Sequence, residues 1–137
     1  MPRPSPQPSD AEWKVLHALW RKHPASAREL LERLVPETGW AYTTLKTILT
    51  RMEEKGLVRT SMRGNAASYE PAVEQRRAQR LAVRTLIERV FEGASGPLLA
   101  HLVEGEKLSA AERKKLEGWI AEAERKTARK EARREPR

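Results

Sequence analysis

Thr43, Thr44, Lys46, Thr47, Thr50 and Arg51 fall within one short stretch, with Tyr42 just ahead of them. Hydroxyls and cations at this density can meet the phosphates and base edges of duplex DNA. Interleaved with them, Leu45, Ile48, Leu49 and Met52 recur at i, i+3, i+4 and i+7, the spacing of one helix face. The stretch from Gly39 to Gly56 therefore predicts a helix with a buried aliphatic stripe and small polar donors on its outer face. Gly56 stands where a left-handed C-cap would be. The stretch carries no carboxylate before Glu53 and Glu54 at its far end. An ordinary solvated face mixes Glu with Lys, whereas four threonines cost helix propensity and gain nothing in water. The pattern suits a helix lying in the major groove.

Other chemistry is poorly provided for. The chain has one aspartate, Asp10, no cysteine, and three histidines, His17, His23 and His101, without metal-pair spacing. No Ser/His/acid set, glycine-rich phosphate loop or zinc-protease motif occurs. The sequence thus predicts no catalytic residues, no metal and no cofactor, and a protein that is not an enzyme.

The elements that must position the polar helix can be read in order. Residues 1–8 alternate proline with polar residues and predict a disordered arm. Ser9 and Glu12 form a capping box, and Trp13, Val15, Leu16, Leu19 and Trp20 give a first helix, closed by Pro24. Ser26 and Glu29 form a second box before Ala27, Leu30, Leu31 and Leu34. Pro36 and Gly39 punctuate a tight connection to the third helix, as in a helix-turn-helix. Beyond Gly56, residues 57–62 read as a strand, Arg63-Gly64-Asn65-Ala66 as a turn, and residues 67–70 as a return strand ending at Pro71. A hairpin after the third helix is the layout of a winged helix, with Arg59 and Arg63 on the wing near the DNA backbone.

From Val73 to Glu92 a long helix is predicted, basic at first (Arg76, Arg77, Arg80, Arg84) and then striped by Val83, Leu86, Ile87, Val90 and Phe91. A short helix with Leu98, Leu99, Leu102 and Val103 follows. A third capping box, Ser109 and Glu112, opens a helix with Leu116, Trp119 and Ile120. Three helices in so short a region make a poor independent core. The uncovered stripe is most simply buried against a second copy, and a two-fold dimer suits a reader of palindromic DNA. Residues 125–137 either extend the last helix or fray.

A net charge of +8 across 137 residues points to a polyanionic partner. The tail from Arg125 to Arg137 holds seven cations and two glutamates, so +5 of the total is there. The weight therefore rests on the third helix. No apolar run reaches transmembrane length and the first residues lack a signal-peptide core, so a cytoplasmic location without a membrane is expected.

Several blocks together resemble the penicillinase-repressor family of winged-helix regulators. They are residues 9–13, Leu19-Trp20, residues 25–30, residues 40–52, residues 54–58, Tyr69-Glu70-Pro71 and residues 90–95. The resemblance covers about the first 72 residues and, more loosely, the chain to about Glu124. It implies a transcriptional repressor that binds its operator as a homodimer, with an N-terminal reader and C-terminal dimerising helices. Carried over, the readers are Thr43, Thr44, Lys46, Thr47 and Arg51, with Tyr42 at the helix start. Ala41 stands where some relatives have a capping serine. In β-lactam-responsive members a regulatory protease cuts the dimerisation region at Asn-Phe; the matching dipeptide here is His101-Leu102. Copper-responsive members use cysteines, which this chain lacks.

The sequence thus predicts a mostly α protein with a small β-hairpin, a winged helix-turn-helix followed by a three-helix dimerisation region. Its divisions are an arm over 1–8, a DNA-binding domain over 9–71, a dimerisation domain over 72–124 and a basic tail over 125–137. The DNA-binding set is Tyr42, Thr43, Thr44, Lys46, Thr47, Thr50, Arg51, Arg59 and Arg63. The dimerisation set is Val83, Leu86, Ile87, Val90, Phe91, Leu99, Leu102, Leu116, Trp119 and Ile120. Competing readings are a non-specific architectural or nucleic-acid-binding protein and a winged-helix adaptor that binds protein. The tail has no apolar stripe, so only screened, long-range attraction to DNA remains for it. Deleting residues 126–137 should leave the melting temperature and preferred operator unchanged. It should lower affinity for specific and random DNA alike, at low salt only, as measured by fluorescence anisotropy; a changed operator or a lost dimer would contradict this division.

Overall fold

The computed structural model describes residues 7–105 and 108–134. Helices α1 (Asp10–Arg21), α2 (Ala27–Thr38) and α3 (Tyr42–Glu54) precede strands β1 (Val58–Arg63) and β2 (Ala66–Pro71). Helices α4 (Gln75–Val90), α5 (Ser95–Gly105) and α6 (Ala110–Arg134) follow. The architecture is mostly α with one antiparallel hairpin. The chain parts into two compact units, Met1–Leu86 and Ile87–Arg137, so the division falls inside α4. No described helix is long and apolar enough to cross a membrane.

All three capping boxes form. The Ser9, Ser26 and Ser109 amides donate to Glu12, Glu29 and Glu112, and each serine hydroxyl accepts the glutamate's own amide in return. These pairs satisfy amides that a helix start leaves without partners. Helix α2 departs from the expected connection at Pro36, which lies inside the helix rather than after it. The helix ends instead at Gly39, whose φ of 67° is the left-handed turn that glycine adopts without steric cost. The Thr38 hydroxyl donates to the Leu34 carbonyl at 2.8 Å and so supports that last turn.

In the first unit, the apolar stripes of the three helices meet the base of the hairpin. Val15, Leu16 and Leu19 from α1, Leu30 and Leu34 from α2, and Leu45, Leu49 and Met52 from α3 are buried with Leu57, Val58 and Tyr69. Each such side chain contributes on the order of 1.5–3 kcal/mol by leaving water. Val58 pairs with Pro71 and Arg63 with Ala66, which sets the hairpin register. A bridge between Ala25 and Tyr69, with N–H···O distances of 3.0 and 2.8 Å, ties the α1–α2 loop to β2. The Trp20 indole donates to the Val73 carbonyl at 3.1 Å, and Ala78 on α4 is buried, which accounts for the start of α4 belonging to this unit.

The expected arm lies mostly at residues 1–6, outside the described residues. Its last two residues are not free: Gln7 and Pro8 are half-buried, and the Gln7 amide donates to the Thr85 hydroxyl at 3.1 Å. They line a small cavity with Leu57, Val73, Ala78 and Leu81, apolar surface that is better covered than wet.

The second unit has no buried residue among those described. Phe91 and His101 make a tilted ring pair at 5.7 Å, and Leu98, Leu99, Leu108 and Leu116 are half-buried. Residues 125–134 continue α6 rather than fray.

One polar contact joins the start of α1 to the end of α3. Glu12, 3% exposed, accepts from the Lys55 ammonium at 2.7 Å and from the Ser9 amide at 2.8 Å. Burial pushes the Glu12 carboxyl up, but the bonds from Lys55 and Ser9 outweigh it and leave it below the ordinary glutamate value. A carboxyl depressed on folding contributes stability above its unfolded pKa and loses it as pH falls through the folded one. Glu12→Gln should therefore cost about 1–3 kcal/mol near neutrality. Urea titrations should show that deficit shrinking on acidification; a deficit that grows towards acid would contradict the assignment.

Candidate nucleic-acid interface

Helix α3 begins without a side-chain cap, since its N-cap is Ala41, and its first turn holds no acid. The amides of that turn therefore face outward without a side-chain acceptor, at the positive end of the helix dipole. Burial of Leu45, Leu49 and Met52 fixes the helix's rotation about its axis. Tyr42, Thr43, Thr44, Thr47, Thr50 and Arg51 are consequently exposed, while Lys46 is half-buried.

Two of the threonines are not the donors expected of them. Thr47 donates its hydroxyl to the Thr43 carbonyl at 3.0 Å, and Thr50 to the Lys46 carbonyl at 2.9 Å. Their oxygens keep lone pairs, and their methyl groups complete the surface. A hydroxyl four residues after a helical carbonyl finds that acceptor before it finds solvent or ligand.

Lys46 is held sideways. Its ammonium donates to the Tyr69 hydroxyl at 2.9 Å and lies 5.6 Å from the centre of that ring. This hydrogen bond holds the Lys46 ammonium above the ordinary lysine value, against the opposing effect of burial. Tyr69 itself is buried, anchored by its bridge to Ala25. On the neighbouring side the Arg28 guanidinium sits 5.2 Å over the Tyr42 ring. Arg28, Tyr42, Lys46 and Tyr69 border one cavity of about 390 Å³ with Ser26, Met62 and Asn65.

The wing arginines stand apart from this group. Val58 faces the core, and strand alternation places Thr60 and Met62 on its side and Arg59 and Arg63 on the other. The Thr60 hydroxyl donates to the Glu53 carboxylate, which ties the strand to the end of α3. Arg59 lies opposite Glu70 in the ladder, and Arg63 precedes the Gly64 turn.

Arg28 and Tyr69 were not among the DNA-binding residues expected from the sequence, although both lie in blocks that carry the family resemblance. Tyr69 is 23 residues from Lys46, so no local spacing links them. Arg28 did carry a signal: it is a cation in the first turn of α2, where the helix dipole disfavours positive charge. Among the described residues no group of three or more His, Asp or Glu could hold a metal ion.

The model of the penicillinase repressor family matches residues 8–122. The methicillin resistance regulatory protein MecI of Staphylococcus aureus is 30% identical over 104 residues, 76% of this chain and 85% of its own. The penicillinase repressor of Bacillus licheniformis is 25% identical over 107 residues, 78% and 84% of the two chains. Among solved structures, the DNA binding domain of the repressor BlaI is similar at a TM-score of 0.48 and 27% identity, covering 54% of this chain and 90% of that domain. A match that spans both compact units and the whole of the surface just described leads to one conclusion: this chain belongs to the penicillinase repressor family.

Proposed function

We propose that this protein is a DNA-binding transcriptional repressor that acts as a homodimer on a palindromic operator. The observation that carries the reading is the outer face of α3, exposed, uncapped and free of carboxylate from Tyr42 to Met52. Membership of a repressor family supports the same reading. In it, Thr43, Thr44, Thr47, Thr50 and Arg51 meet base edges in the major groove, and Arg59 and Arg63 meet the backbone from the wing. Residues 9–71 form the reader and residues 72–124 the dimerisation region.

The second copy is supported by apolar surface without a cover. Val83 is 48% exposed, Leu86 42% and Val90 61% along α4, and Trp119 is 68% exposed on α6. Leu102 and Ile120 are exposed as well, while Ile87, Phe91, Leu99 and Leu116 are half-buried. Exposed aliphatic and aromatic side chains in such numbers support a surface covered by association rather than scattered exposure. The His101-Leu102 dipeptide lies inside α5. Proteases favour exposed loops, so a cut there requires α5 to open first.

Two measurements test the reading. Selection from a random DNA pool at stated salt should return a palindrome; a pool without preference would support a non-specific binder instead. Leu86→Asp combined with Val90→Asp should yield monomers in sedimentation and weaken operator binding by at least tenfold, the equivalent of about 1.4 kcal/mol. A wild-type chain that sediments as a monomer at about micromolar concentration, where a matching Kd corresponds to about 8 kcal/mol of association, would overturn the dimer.

A further inference from the structure

The cavity beside α3 is lined by Ser26, Arg28, Tyr42, Lys46, Asn65 and Tyr69 among its polar residues, and by no carboxylate. Each of its two cations is held by a tyrosine: Arg28 lies 5.2 Å over the Tyr42 ring, and Lys46 donates to the Tyr69 hydroxyl at 2.9 Å. Among the described residues neither forms an ion pair. An aromatic face, or a neutral hydroxyl that accepts a hydrogen bond, fixes a cation in place without neutralising it. Two like charges lining one notch repel each other, and an anion entering between them relieves that repulsion. Tyr42 and Lys46 also belong to α3, so the notch is continuous with the surface offered to the groove.

We infer that this notch seats a phosphodiester of the DNA backbone, with Arg28 and Lys46 as the contacting cations and Tyr42 and Tyr69 as positioning residues. The inference rests on the DNA-binding reading above. It assigns Lys46 to the backbone rather than to base readout, and it adds a contact from α2. Phosphate contacts set the register and tilt of a reading helix, which no base contact can do alone. The Tyr69 hydroxyl holds Lys46 toward the wing and away from the base-facing threonines.

The test compares wild type with Arg28→Met, Lys46→Met and Tyr69→Phe on the selected operator and on a random duplex across a salt series. Arg28→Met and Lys46→Met should each lower both affinities by the same factor. Each should also reduce the slope of log affinity against log salt by about one unit. Lys46→Met should cost less in a Tyr69→Phe background than in wild type, because the hydroxyl acts through the lysine. Arg28 is exposed, so its variant still decides the matter if Tyr69→Phe unfolds. Loss on the operator alone would assign these residues to bases and overturn the inference, as would an unchanged slope. Inorganic phosphate is the second probe: an NMR response abolished by Arg28→Met, with DNA affinity unchanged, would mark a free-anion site and also overturn it. A wild-type protein without operator preference would defeat the repressor reading instead, while the slopes on random DNA would still decide the notch.

Discussion

The burial of Leu45, Leu49 and Met52 is the constraint on which the rest of the first unit depends. These three side chains cannot leave the core without opening a cavity, at about 2–5 kcal/mol for a buried Leu or Met truncated to Ala. Their positions therefore decide which side of α3 faces outward, to within a fraction of a turn. Glu12 acts on the same helix from its other end, because its bond to Lys55 pins the residue that follows the last turn. A helix held by apolar contacts along its length and by a charge at its terminus can neither roll nor slide. Such rigidity is a precondition for a surface that distinguishes one base sequence from another.

The local features of this fold were legible in the sequence, and the long-range ones were not. The Ser9, Ser26 and Ser109 boxes each span four residues and formed as expected. The α3 stripe and the hairpin around Gly64-Asn65 likewise follow from spacing and turn chemistry. Pro36 misled because tertiary packing of Leu34 outweighs the break that a proline favours. The Lys46–Tyr69 and Gln7–Thr85 contacts join residues far apart in the chain, so no window of sequence displays them. The Thr47 and Thr50 bonds differ, since an i to i−4 carbonyl is local and their donor role was open to doubt from the start.

The two units differ in how completely they satisfy themselves. The first has a closed core of side chains from five elements. The second buries nothing fully among its described residues, although α5 is rich in leucine. Isolated helices of modest length are marginal in water, so little within that unit itself holds its helices together. In the homodimer proposed above, assembly and folding of that unit would be coupled, and its stability would depend on protein concentration.

The committed hydroxyls of Thr47 and Thr50 bear on which bases the helix can favour. An oxygen whose proton is held by a backbone carbonyl can accept a hydrogen bond but offers none. In the major groove, amino hydrogens come from adenine and cytosine, and a methyl group comes from thymine, which the threonine methyls can meet. Guanine presents only acceptors on that edge, so it is matched by a cation and not by these threonines. Arg51 is the exposed cation on this face. In the groove-bound helix proposed above, Thr47 and Thr50 therefore suit base pairs that turn an adenine or cytosine amino group or a thymine methyl toward them, and a guanine edge needs Arg51 or another cation.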